Sequence, residues 1–220
     1  MSRKKPKSDR PRSIAVEGPV GVGKTTLARL LAKRLEARTI FEEVDQNPFL
    51  KEFYRDPGRY AFQTQMFFLL SRYKQMLDLK QEELFRQSTV CDYIFQKDRI
   101  FAYLTLNEEE LVLYDRIYEL LDPRLPLPDL VVYLQARPQV LLDRIRGRNR
   151  EWERTITLPY LERVARAYND YFFRYDRTSL LVINTSEIDI VEKEQHLEDV
   201  ISAILRMRKG VQHYSPYGRT

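Results

Sequence analysis

A glycine-rich loop between a short apolar run and a helical pattern constrains the fold of this chain more than any other feature. Residues 18–26 read G-P-V-G-V-G-K-T-T and match G-x-x-x-x-G-K-[ST]; the apolar run 13–18 precedes them and a leucine-rich pattern follows. In such a strand, loop and helix, backbone N–H groups and the helix N-terminus bind phosphate groups. The lysine addresses the β and γ phosphate oxygens, and the hydroxyl after it ligates Mg²⁺. The sequence therefore predicts that ATP or GTP binds with Mg²⁺ through Gly18, Gly21, Gly23, Lys24, Thr25 and Thr26.

Short apolar runs that alternate with helix-length patterns predict one α/β domain over residues 13–207. The expected fold is a P-loop kinase fold with a five-stranded parallel sheet, helices on both faces and an arginine-rich lid. Ligands of such sheets bind beyond the carboxyl ends of the strands. The predicted strands are 13–18, 39–44, 89–92, 130–135 and 180–184, and the predicted helices are 24–36, 60–80, 108–121, 138–146, 159–175 and 191–207.

The charge of the chain is concentrated at its ends. The formal net charge is +5, and residues 1–12 alone hold a net +5, so the remainder is neutral. We interpret residues 1–12 as a basic flexible tail and residues 208–220 as a C-terminal tail. Composition therefore does not indicate a nucleic-acid partner. The chain lacks an apolar stretch long enough to span a bilayer and lacks an apolar leader, and its single cysteine predicts a reducing, cytoplasmic location without a membrane partner.

An arginine-dense segment narrows the class of nucleotide-binding protein. We find neither the N-K-x-D nor the D-x-x-G pattern of a GTPase, whereas residues 144–150 read R-I-R-G-R-N-R. Arg144 and Arg148 are four residues apart and share a helix face, and Arg150 follows them. Arginines beside a phosphate-binding loop stabilise the charge that spreads over a transferred phosphoryl group. Together with the short chain, this pattern predicts a small-molecule kinase.

Two acids near strand ends and one polar pair predict the acceptor side. Glu42 lies near the end of the second predicted strand and is expected to take the proton of an acceptor hydroxyl; Asp92 ends the third and is expected to hold Mg²⁺. Gln65 and Arg72 are seven residues apart and lie on one helix face, among many aromatic residues. An amide that both donates and accepts suits the edge of a base. We therefore expect a nucleobase pocket here.

Five segments in this order and spacing resemble the deoxynucleoside kinase family, most closely the bacterial deoxyadenosine and deoxyguanosine kinases. The resemblance spans about residues 13–205 and implies ATP-dependent phosphorylation of the 5′-hydroxyl of a deoxynucleoside, with a purine expected. It also implies a homodimer packed through helices that include residues 60–80. The segments are residues 18–26, N-P-F-L-K-E-F-Y (47–54), Y-A-F-Q-T-Q-M-F-F-L-L-S-R (60–72), I-F-A (100–102) and L-P-Y-L-E (158–162).

The same resemblance implies a role for individual residues. Glu42 is similar to the general base, and Tyr54 and Glu153 resemble the pair that holds the sugar 3′-hydroxyl. Gln65 and Arg72 resemble the groups that read the base. Phe101 is similar to the aromatic residue that stacks on the base, with Val44 and Leu50 as its apolar wall. The lid arginines that the resemblance implies are Arg144, Arg148 and Arg150, and the loop that contacts the donor adenine would fall near residues 184–189.

The chain also departs from the family pattern. Tyr93 follows Asp92, where many family members have an arginine, so the source of that missing charge is open. The acid that pairs with the base-reading arginine is open as well, because Lys97 falls at its place in an ungapped match and Asp98 lies beside it. Two alternatives remain: a nucleoside monophosphate kinase similar to thymidylate kinase, with Arg72 as the acceptor-phosphate group, and an ATP-binding regulatory protein.

Overall fold

In the computed structural model, residues 11–82 and 88–215 are described. Most of the predicted basic tail, residues 1–10, and the last five residues of the predicted C-terminal tail lie outside these residues. Within the described ranges, no helix is long and apolar enough to cross a membrane. The cytoplasmic location stays a prediction.

The described residues form one sheet of six parallel strands, so the predicted parallel α/β architecture is confirmed. Its strand order is β2-β3-β1-β4-β5-β6. The central strands are buried on both faces, which explains their continuous Val, Ile and Leu content. The strands are β1 (Ser13–Glu17), β2 (Arg38–Ile40), β3 (Thr89–Cys91), β4 (Leu130–Gln135), β5 (Ser179–Asn184) and β6 (Val211–Tyr214).

The sixth strand corrects the predicted C-terminal tail. Residues Val211–Tyr214 pair in parallel with β5 at the edge of the sheet, so the chain is not a tail from residue 208 onwards. Three of the four residues of β6 are exposed, because the strand has a neighbour on one side and little covering its faces. An edge strand of this kind needs no apolar run, and the sequence V-Q-H-Y therefore carries no strand signal.

Helices cover both faces of the sheet, and the local sequence fixes where two of them begin. Asn107 caps α5 through a reciprocal pair with Glu110, and the Thr157 side chain caps α7. Two helices, α2 and α4, are absent from the predicted set. The helices are α1 (Lys24–Leu35), α2 (Leu50–Arg55), α3 (Pro57–Glu82), α4 (Lys97–Thr105), α5 (Glu108–Leu121), α6 (Pro138–Arg148), α7 (Leu158–Phe173) and α8 (Glu194–Arg206).

Two apolar cores lie on opposite faces of the sheet. One packs α1, α6 and α8 against the strands, with Leu27, Leu141 and Ile204 fully buried. The other packs α3, α4, α5 and α7 and is rich in aromatic residues such as Tyr133 and Phe172, whose rings stack at 4.2 Å. Together they hold the carboxyl ends of β1, β2 and β3 next to one another, and the predicted site lies there.

Candidate active site

The glycine-rich loop is pressed against the neighbouring elements. Gly21 has φ 85°, and a Cβ at this position would lie 2.7 Å from the Leu141 carbonyl oxygen of α6. A Cβ at Gly18 would lie 2.4 Å from the carbonyl oxygen of Leu134 on β4. Both contacts are shorter than any side chain tolerates, so the loop requires glycine at these two points. The loop thereby runs directly into the N-terminus of α1.

The Lys24 side chain points back to the start of the glycine-rich loop. Its Nζ donates to the carbonyl oxygens of Gly18 at 2.8 Å and Pro19 at 3.1 Å. Burial, followed by the charge of Lys97, lowers the pKa of Lys24 to about 8. A bound phosphate group would raise the pKa of Lys24 again, because its negative charge stabilises the charged ammonium.

Asp92 joins the loop to the acceptor side. Its Oδ2 accepts a hydrogen bond from Thr25 Oγ1 at 2.5 Å, and its Oδ1 accepts one from the Glu42 backbone N–H at 2.8 Å. The two residues predicted to bind Mg²⁺ are thus in direct contact. A hydroxyl and a carboxylate fit Mg²⁺, which takes few protein oxygens and fills its octahedron with water and substrate phosphates. Within the described residues, no group of three or more His, Cys, Asp or Glu side chains is placed to hold a metal ion.

Glu42 is held by a cation at each carboxylate oxygen. Arg72 donates to Oε1, and Lys97 Nζ lies 2.6 Å from Oε2. Burial on its own would raise the pKa of Glu42, but the charges and hydrogen bonds of Arg72 and Lys97 outweigh it and keep the pKa far below its usual range. Glu42 is therefore a carboxylate at neutral pH, fixed in direction.

Arg72 and Asp98 form the polar end of the site. Their side chains make a buried ion pair, and the Arg72 guanidinium lies over the Phe68 ring at 4.6 Å. Gln65 is beside them, and its Nε2 donates to Thr105 Oγ1 at 3.2 Å. Asp98 Oδ2 and Arg72 Nε are buried without a hydrogen-bond partner among the described residues. Such groups are costly to bury unless a ligand binds them.

Glu153 and Tyr54 form the third side. Arg148 Nη2 donates to Glu153 Oε1 at 2.9 Å, whereas Glu153 Oε2 is buried with no partner among the described residues. Burial raises the pKa of Glu153, although Arg148 and Arg150 oppose the shift. Burial, with the hydroxyl of Tyr160 and the charge of Glu153, raises the pKa of Tyr54 well above its usual value. Tyr54 therefore stays a neutral phenol that can donate a hydrogen bond.

One cavity of about 240 Å³ brings these groups together, apart from Asp98, which is fully buried and pairs with Arg72 at the cavity wall. The predicted site residues that do not line it are Gly18, which begins the loop, and Arg144. Those that do line it are Gly21, Gly23, Lys24, Thr25, Thr26, Glu42, Val44, Leu50, Tyr54, Gln65, Arg72, Asp92, Phe101, Arg148, Arg150 and Glu153.

Arg144 differs from the other two arginines predicted for the lid in that it does not line the first cavity. Its guanidinium donates to the carbonyl oxygens of Val22, Thr185 and Ile188 at 3.3, 2.8 and 3.1 Å. Arg144 thus connects the glycine-rich loop with the segment after β5. This segment and Arg148 both line a second cavity. The i, i+4 spacing identified a shared helix face, but it does not reveal that backbone carbonyls meet one of the two guanidinium groups.

Three buried charged residues escaped the predicted set. Asp98 answers the open question of the acid beside Arg72, and Lys97 supplies a cation next to Glu42. Glu17, fully buried at the end of β1, accepts hydrogen bonds from the N–H groups of Gly18 and Ile94, both at 2.9 Å. The sequence signal for Glu17 is an acid at the end of an apolar strand. Lys97 and Asp98 could be predicted only if the start of α4 at Lys97 were known.

Comparisons with known proteins agree with the fold and with the resemblance found in the sequence. A family model described as deoxynucleoside kinase matches residues 14–208. A deoxyguanosine kinase of Bacillus subtilis is 42% identical over 156 residues, which cover 70% of this chain and 75% of the relative. A deoxyadenosine kinase of Dictyostelium discoideum is 35% identical over 212 residues, covering 92% and 83%. A structure of deoxyadenosine kinase from M. mycoides with dCMP and dCDP bound has a TM-score of 0.74 and 26% identity, covering 86% of this chain and 96% of that one.

Proposed function

The chain belongs to the deoxynucleoside kinase family, and from this premise we propose that it transfers the γ-phosphoryl group of ATP to the 5′-hydroxyl of a purine deoxynucleoside. The observation that carries the proposal is the position of Glu42. Glu42 lines one cavity together with Lys24 and Thr25 of the phosphate-binding loop and with Arg72, which pairs with the buried Asp98. A nucleoside whose base meets Arg72 and Asp98 would therefore present its 5′-hydroxyl to both a carboxylate and the donor phosphates.

The proposed reaction is an in-line transfer between two oxygens. The 5′-oxygen forms a bond to the γ-phosphorus, its proton goes to the Glu42 carboxylate, and the bond from the γ-phosphorus to the bridging oxygen breaks to release ADP. Lys24, Arg148 and Arg150 place positive charge around the transferred group. Thr25 and Asp92 would hold Mg²⁺, which when bound neutralises charge on the donor phosphates.

Two buried groups without partners support recognition of a base that carries an amino group. Asp98 Oδ2 has no partner among the described residues and can only accept a hydrogen bond, so a base that reaches it beside Arg72 would carry an amino group, as adenine and cytosine do; thymine has a carbonyl oxygen instead. Arg72 donates and so suits ring nitrogens or the guanine carbonyl, and Gln65 does both. The names of the relatives from B. subtilis and D. discoideum support the purines among these bases.

The pairing of Arg72 argues against the monophosphate kinase alternative. An acceptor monophosphate needs a cation that is open to it, but the Arg72 guanidinium is buried and already binds two carboxylates, Glu42 and Asp98. A phosphate at this point would have to displace one of them. The pairing thus favours an uncharged acceptor.

Release of ADP by the purified protein with ATP and Mg²⁺ tests the proposed function. The acceptors compared are deoxyadenosine, deoxyguanosine, deoxycytidine, thymidine and thymidine monophosphate at equal concentrations. We expect turnover on the purine deoxynucleosides and none on the two thymine compounds. Turnover on the monophosphate alone would favour the thymidylate kinase alternative, and ATP binding without any turnover would favour the regulatory one.

The sugar site makes a prediction for Tyr54. We expect Tyr54→Phe to raise the KM for the deoxynucleoside about 3- to 10-fold, the equivalent of one lost hydrogen bond, and to leave the KM for ATP unchanged. Tyr60→Phe is the matched control, because Tyr60 lies on the neighbouring helix α3 and does not line the cavity. Steady-state kinetics with each substrate varied in turn make the comparison. An unchanged nucleoside KM would remove Tyr54 from the sugar site.

We also propose that the protein is a homodimer. Helix α5 exposes Val112, Leu113 and Leu120 by 57%, 49% and 65%, and Leu70 of the neighbouring helix α3 is 51% exposed. A second copy of the chain would cover this apolar surface. Light scattering should give twice the mass of one chain, and Leu113→Asp should shift the mass towards one chain. Leu127→Asp, at a partly exposed leucine outside both helices, should leave the dimer intact; a single-chain mass for the wild type would contradict the proposal.

A further inference from the structure

Lys97 is a buried cation at the centre of the site whose presence the proposed reaction has not yet used. It is the first residue of α4, its side chain is 4% exposed, and its Nζ lies 2.6 Å from Glu42 Oε2. Within the described part of the chain, this is the one ion pair that Lys97 forms. Burial of an ammonium is costly unless a partner compensates it. The fold therefore maintains a specific contact between Lys97 and the proposed base.

Glu42 is shared by two cations, and within the described residues only Arg72 pairs with a second carboxylate. Arg72 binds Glu42 Oε1 and also Asp98, so its guanidinium belongs to the base-reading end of the cavity. Lys97 binds Oε2, forms no second ion pair within the described residues, and lines the cavity together with Lys24 of the phosphate-binding loop. Lys97 is therefore bound to Glu42 and not to the acid of the base-reading end.

The segment that carries Lys97 is anchored to the phosphate loop. The buried Glu17 carboxylate accepts the Gly18 N–H with Oε1 and the Ile94 N–H with Oε2, and Tyr168 donates a third hydrogen bond. A single side chain therefore ties the first residue of the loop to the segment that leads into α4. These hydrogen bonds fix the segment before Lys97 relative to the phosphate-binding loop, and none of them involves Arg72 or Asp98.

We propose that Lys97 positions the Glu42 carboxylate beside the acceptor 5′-hydroxyl, and that it does so equally for every base. With Arg72 alone, the carboxylate is held at one oxygen and is free to turn towards the base-reading pair. Displacement of a reacting group by about 1 Å is sufficient to slow a reaction about 100-fold. This inference rests on the proposed role of Glu42 as the base.

The test compares Lys97→Met, which keeps the length of the side chain and removes its charge, with wild type. We expect kcat to fall about 10- to 100-fold, by the same factor for deoxyadenosine and deoxyguanosine, while each KM changes less than about 3-fold. Lys97→Arg should recover part of the lost kcat. Arg72→Met should instead change the ratio of kcat/KM between the two bases. Lys51→Met, at an exposed lysine of α2, is the matched control.

A double mutant shows whether Lys97 acts through Glu42. In a Glu42→Gln background, we expect Lys97→Met to lower kcat less than about 2-fold further, because the group that it positions is already gone. A full additional loss in that background would overturn the proposal, and so would a wild-type kcat in Lys97→Met or a loss confined to KM. If Lys97→Met does not fold, as judged by its melting transition, Lys97→Gln replaces it, and a wild-type kcat in that folded variant would overturn the proposal equally.

The outcome for Glu42 is measured separately. If Glu42→Gln retains wild-type turnover, the proposed base is wrong and the inference about Lys97 falls with it. If Glu42→Gln is slow and Lys97→Met is not, the proposed function stands and only the role of Lys97 is overturned.

Discussion

Glu42→Gln is expected to lower kcat about 100- to 10,000-fold while the deoxynucleoside still binds, which is the range that general bases contribute. Glutamine has nearly the shape of glutamate and cannot take a proton at neutral pH. The low pKa of Glu42 does not contradict this role: Arg72 and Lys97 keep it fully ionised, and a 5′-hydroxyl that begins to bond to phosphorus becomes much more acidic. The carboxylate therefore needs correct placement more than high basicity.

Two measurements separate catalysis from binding in this variant. Calorimetry should give a deoxynucleoside Kd within about 5-fold of wild type, and single-turnover phosphorylation should be slow. Glu43→Gln is the matched control, because Glu43 is the neighbouring residue and does not line the cavity. A kcat near that of wild type in Glu42→Gln would show that another group accepts the proton or that none is needed.

The central part of the fold is predictable from sequence because burial on both faces leaves a simple pattern. The strands at 13–18, 89–92, 130–135 and 180–184 are apolar runs, and the structure places β1, β3, β4 and β5 within one or two residues of them. The edges of the sheet carry a weaker signal. β2 ends at Ile40 and not at residue 44, since the Glu42 N–H donates to the Asp92 carboxylate. β6 is exposed and has no apolar run.

The residues of the site also fall into two groups, those set by a local sequence motif and those set by packing. Residues set by a local motif, such as Lys24 and Thr25, lie where the sequence places them, because strand, loop and helix determine their direction. Lys97 and Asp98 are adjacent in sequence and yet bind different partners, the first Glu42 and the second Arg72. Which of them faces which partner depends on where α4 begins relative to the end of β2 and to α3. That is a property of packing, and no spacing within the chain encodes it.

Lys24→Ala is expected to lower kcat/KM for ATP about 100- to 1,000-fold, which is the effect of removing one preorganised cation or donor from a charged transition state. The lysine has no substitute in the loop: Arg148 and Arg150 approach the cavity from the end of α6, and Lys97 is committed to Glu42. Since the Gly18 and Pro19 carbonyl oxygens hold the ammonium in the absence of phosphate, its removal leaves no buried carboxylate unpaired. The fold should therefore survive the substitution.

The measurement is the rate of ADP release with ATP varied at saturating deoxynucleoside, together with the melting temperature. Lys33→Ala is the matched control, because Lys33 lies on the same helix α1 and is exposed. The deoxynucleoside Kd should stay within about 3-fold of wild type, since Lys24 lies on the phosphate side of Glu42 and the base-reading pair on the other. A variant that keeps wild-type kcat/KM for ATP would contradict the assignment of residues 18–26 as the phosphate-binding loop. Equal losses in ATP use and nucleoside binding would instead show that Lys24 supports the whole cavity, because a charge that acts on the donor alone cannot weaken both.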